Sequence, residues 1–225
     1  MREESPVNPL PPLVVAFFLV IVGIDVAFTF GARGFVGGPE AVGWRLAAIQ
    51  SYGFSSDVFR WMIDSWRFPP EHMMRFVTYP FVHGSFTSAL FAGVMILAMG
   101  NFVSAVFRPW GVVVIFFVAS ILGAVAHGLV MVKQPWLLGA FPGIYGLIGA
   151  FTFLLWVKLA GTGASQARAF SLIGMLMGLQ LVFGVLFGTD SMWLAELVGF
   201  ITGFSLSFVL VPGGWSHVLA RLRGR

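Results

Sequence analysis

Six predominantly apolar runs, each near the length of a bilayer crossing, govern what this chain can fold into. They cover about 12–30, 76–107, 110–132, 137–159, 170–187 and 192–211. About 20 apolar residues in helical form span the hydrocarbon core. That core tolerates no unpaired backbone amide, so each run must become a helix. Composition agrees: mean hydropathy is +0.92 and only 10% of the 225 residues are charged, against about a quarter in soluble domains. The expected fold is an all-α polytopic membrane protein, a bundle of six transmembrane helices. The run 76–107 exceeds one crossing, so its ends stay open. A signal peptide is the competing reading of the first run. The stretch is too long for an apolar h-region, Glu3 and Glu4 weaken the basic flank, and no small-x-small cleavage site follows.

An even number of crossings puts both ends on one side. Arg2, Arg108, Lys158, Arg168, Arg221, Arg223 and Arg225 then share that side, while the short opposite loops hold only Lys133. The positive-inside rule makes that side cytoplasmic, in what we expect to be a bacterial inner membrane. The chain divides into a tail (1–11), a membrane domain (12–212) and a basic tail (213–225). Residues 31–74 form a large first loop on the extracytoplasmic side. Within it, Ser56 to Trp66 has helical apolar spacing, with Ser55 or Ser56 as a cap. A helix with Trp and Phe opposite its charges lies in the membrane interface or packs on the bundle surface. Asp25, near the end of the first run, reads as an interfacial charge. There is no cysteine, which removes disulfides and thiolate metal sites, and the net charge of +4 forms no nucleic-acid patch. No cofactor is expected.

The stretch Gly139-Ala140-Phe141-Pro142-Gly143-Ile144-Tyr145-Gly146-Leu147-Ile148-Gly149-Ala150 is apolar and rich in small residues. It resembles, without a gap, the serine-bearing segment of rhomboid intramembrane proteases, which reads Gly-Ala-Ser-Gly-Ala-Ile-Phe-Gly-Leu-Leu-Gly-Ala in typical members. Arg75, Thr78 and His83 match that family's Trp-Arg-x-x-Thr-x-x-x-x-His, with Met74 in place of tryptophan. Glu196, Gly199 and Gly203 fall on its His-x-x-Gly-x-x-x-Gly. Each motif alone is weak, because small-xxx-small is common in membrane helices. Three in order, on crossings two, four and six, are more specific.

The resemblance implies a rhomboid-like bundle from which the protease chemistry has been lost at four positions. Phe141 replaces the nucleophile, Glu196 the base, and Ser88 and Ala92 the oxyanion residues. Peptide hydrolysis needs an activated hydroxyl and donors for the developing oxyanion, and Phe141 supplies neither. The chain is therefore expected not to be an enzyme. The resemblance implies a pseudoprotease that binds transmembrane segments or membrane-protein clients, for assembly, quality control or regulation. A structural subunit of a larger membrane complex is the alternative. A residual or altered protease using Ser88 and Glu196 is a minor one. Transport lacks a repeat or a midplane charge pair to support it. The expected partners are the lipid bilayer and other membrane proteins. A carboxylate inside a membrane costs about 2.5–3.5 kcal/mol at the centre unless it finds partners. The candidate binding cluster is accordingly Glu196, Tyr145, Ser88 and His127, with a Tyr145–Glu196 hydrogen bond. Its bland counterpart is a structural network left in an old cavity. The pairs Gly139/Gly143, Gly174/Gly178 and Gly199/Gly203 are expected to pack helices. Phe141 and Pro142 are expected to fill the former site in part.

Overall fold

The computed structural model describes residues 10–131, 136–187 and 192–211. The first apolar run forms α1 (Pro12–Ala32), opened by Pro12 at a position where a missing N–H is harmless. The first loop then folds into a 3₁₀ turn at Pro39–Gly43, α2 (Trp44–Tyr52), the short strand β1 (Phe54–Ser55) and α3 (Ser56–Ser65). The Ser55 hydroxyl accepts the Val58 N–H and caps α3, one of the two caps expected. Two single-turn helices follow, α4 (Pro70–Met73) and α5 (Arg75–Thr78), then a 3₁₀ turn at Tyr79–Phe81.

The long second run does not form one helix. Pro80 and Gly84 interrupt it, and α6 begins only at Phe86, where the Ser85 hydroxyl accepts the Ser88 N–H; the helix ends at Ser104. Next come α7 (Pro109–Val130), β2 (Trp136–Leu137) and α8 (Phe141–Thr162). The fourth helix starts four residues later than the apolar run, because β2 pairs antiparallel with β1 and Gly139 adopts φ +85°. Gly139 is thus a turn residue and shares no helix face with Gly143. After a 3₁₀ turn at Gln166–Phe170 come α9 (Ser171–Phe187) and α10 (Trp193–Leu210).

Among the described residues five helices, α1, α6, α7, α8 and α10, are long and apolar enough to cross a membrane. The fifth apolar run forms α9, whose 17 residues reach about 26 Å at 1.5 Å each, within the range of a crossing.

The centre of the bundle is α8, with α6, α7 and α10 packed around it. Pro142 through Ala150 are all buried. Glycine makes that possible. A methyl group on Gly203 would fall on the Gly146 carbonyl oxygen, and one on Gly199 would fall on the Pro142 carbonyl oxygen. The two backbones therefore touch directly, the close approach that small residues permit in membranes. By contrast, Gly174 and Gly178 on α9 have open space where a methyl would go, so the expected packing role does not hold for that pair.

Candidate functional site

The entry to α8 is built from two loops. The Gly139 N–H donates to the Tyr79 carbonyl at 3.1 Å, and the Ala140 N–H donates to His83 Nε2 at 3.3 Å. Tyr79 is itself anchored, since its hydroxyl donates to the Ser120 carbonyl at 2.8 Å on α7. Burial pushes that phenol well above its ordinary pKa, so it remains a donor. Arg75 and Thr78 hold the end of α2. Arg75 donates to the Gly53 carbonyl at 3.1 Å and Thr78 to the Tyr52 carbonyl at 3.0 Å. The side chains that carry the motif of the second run thus tie the first loop and the mouth of α8 together.

An ionic node, missed in the sequence, joins the same region. Asp25 is completely buried and pairs with Arg45 at 2.6 Å. Arg45 also donates to the His83 carbonyl at 2.7 Å and lies 5.5 Å over the Phe28 ring. The Asp25 carboxylate therefore faces protein, and neither water nor lipid. It is the buried anchor of α2, and its partner arrives from 20 residues away in sequence.

His83 accepts from Ala140 through Nε2, which requires that nitrogen unprotonated. Burial is the largest influence and lowers its pKa to about 4; Asp25 opposes this and Arg45 adds to it. The folded value lies below the unfolded 6.5, so the unfolded chain takes up the proton first. This contribution to stability is complete above pH 6.5 and is lost as pH falls towards 4. It amounts to about 3 kcal/mol at ~1.4 kcal/mol per unit. Stability of the detergent-solubilised protein should rise across pH 4 to 6.5, and His83→Gln should flatten that rise.

Around the expected cluster, Glu196 is 4% exposed in the first turn of α10. The Tyr145 hydroxyl on α8 lies within hydrogen-bonding reach of its carboxylate, and Gln180 on α9 donates to Glu196 Oε2. Three helices thus meet on one carboxylate. Gln180 was not singled out in the sequence, although it is the one amide in the apolar run 170–187. His127 is fully buried in the last turn of α7. Ser88, half-buried in the first turn of α6, makes no side-chain hydrogen bond among the described residues; the structure does not tie it to Glu196. Ala92 is buried in the core. Phe141 packs on that core, with its ring 6.2 Å from that of Phe91 on α6. It does not point away into lipid.

A family model described as Rhomboid domain matches residues 70–213, well over half of the chain. The protein belongs to the rhomboid family. No curated protein matches it. The rhomboid match begins within the first loop, at α4, and runs through α10, so it includes Tyr79, His83, Gly139 and Ala140 at the entry to α8 and all of the Glu196 cluster. It makes the protein a multi-pass, bilayer-embedded rhomboid-like protein.

Proposed function

We propose that this rhomboid is proteolytically inactive and serves by binding transmembrane segments or membrane-protein clients. The observation that carries the reading is what stands at the nucleophile position. Phe141 lies at the head of α8, packed against Phe91, and offers no hydroxyl. Glu196, at the base position, is engaged by Gln180 and lies beside Tyr145. A carboxylate so held is a structural partner, and it lacks the imidazole that shuttles protons near neutrality. We take both termini to be cytoplasmic, supported by the distribution of Arg and Lys.

The test uses purified protein reconstituted in liposomes with a transmembrane substrate and a fluorophosphonate serine probe. No cleavage and no labelling are expected. Cleavage that disappears in Ser88→Ala would overturn the proposal and establish the altered protease. For client binding, a photocrosslinker at Val182, exposed on α9, should capture several membrane proteins at substoichiometric levels. One partner captured at fixed stoichiometry would instead establish the structural-subunit reading.

A further inference from the structure

Between α1 and α2 runs a groove of about 660 Å³. Its walls are Val20, Ile24 and Phe28 on α1 and Ala48 on α2, with Phe81 contributing from the turn before α6. The lining is almost wholly apolar. The α1 wall runs from Val20 to Phe28, about 12 Å at 1.5 Å per residue, close to the ~15 Å of one leaflet's hydrocarbon. The groove is continuous with the lipid-facing surface of α1, where Leu19 and Val20 are exposed. Its α1 wall belongs to a helix long and apolar enough to cross a membrane, and Val20 to Phe28 lie about 6 to 18 Å from the Ala32 end of that helix by the same rise.

Nothing in the described protein fills this trough, and the chain itself holds it open. The Asp25–Arg45 pair fixes α2 to α1 along one edge. Along the other end, Trp44 lies where substituents on Gly31 and Gly37 would meet it. The small side chains of Ala27, Ala47 and Ala48 leave the interior empty. Left void, the walls would forgo their dispersion contacts. Water finds too few polar partners there to replace them. We infer that the groove between α1 and α2 is a binding site for one acyl chain of a bilayer phospholipid, retained as a specific lipid rather than exchanged with the annulus.

Native mass spectrometry of protein released from nanodiscs of a single phosphatidylglycerol tests this. One lipid should remain bound to the wild type. Ala48→Phe and Ala27→Phe, which fill the groove from opposite walls, should each reduce the lipid-bound fraction about tenfold. Leu122→Phe, on the exposed face of α7, should leave it unchanged. In the same nanodiscs, mid-chain brominated lipid should quench, in the wild type, a fluorescence component that Trp44→Phe removes. Retention unchanged in both alanine variants, no quenching of Trp44, or a peptide or second copy of the chain in place of the lipid would each overturn the inference.

Discussion

Gly203→Ala is expected to be among the most damaging single substitutions in this chain. The added methyl would land on the Gly146 carbonyl oxygen, backbone against backbone, with no side chain that could turn aside. Overpacking typically costs about 1–3 kcal/mol where side chains can yield, so the value here should reach or exceed the top of that range. Gly174→Ala is the matched control. Nothing lies within 4 Å of the added methyl there, and the better helix propensity should stabilise by up to ~1 kcal/mol. Unfolding in mixed micelles, followed by circular dichroism, should separate the two variants by several kilocalories. Equal effects would mean that α8 and α10 do not meet through their backbones.

The Asp25–Arg45 pair should respond asymmetrically. Removing one partner of a buried pair costs about 3–5 kcal/mol because the other is left uncompensated. Arg45→Met leaves the Asp25 carboxylate, whose side chain is 0% exposed, with no cation. Asp25→Asn leaves Arg45, whose side chain is 22% exposed and can extend towards the interface. Arg45→Met should therefore be the more destabilising, and the double variant should recover part of the loss. The same micelle titration measures it, and a larger effect from Asp25→Asn would show that Arg45 is the more deeply held partner.

What the sequence made legible follows from which forces act locally. Helix positions came through because each apolar run must satisfy its own backbone amides within the run. The cap at Ser55 came through because its bond reaches only to Val58. The start of α6 stayed open because Tyr79 to Ser85 is apolar enough to resemble helix, yet its backbone turns to meet Gly139 and its His83 carbonyl meets Arg45. The pairing of Asp25 was missed for a related reason: its partner lies in a different element, and no local pattern announces a pair 20 residues apart. Of the cluster, Glu196 and Tyr145 could be placed together by family resemblance, and Gln180 could not, since it occupies no motif. Ser88 was grouped with them on that resemblance alone. Its hydroxyl has no tie to the cluster among the described residues.

The arginine on α3 carries one more consequence. Arg60 donates to the carbonyls of Gly128 and Met131, at 3.2 and 2.9 Å, at the end of α7. Terminal helix carbonyls ordinarily turn to water. Here the first loop meets that need with its own cation, which also suits the negative end of the helix dipole. The loop is in effect a stopper: α3 packs over the last turn of α7, with Phe59 against Gly128, where His127 is buried. A chain with this loop removed would not merely lose a surface ornament. Water would be free to climb that last turn and reach the polar residues that the bundle otherwise keeps dry.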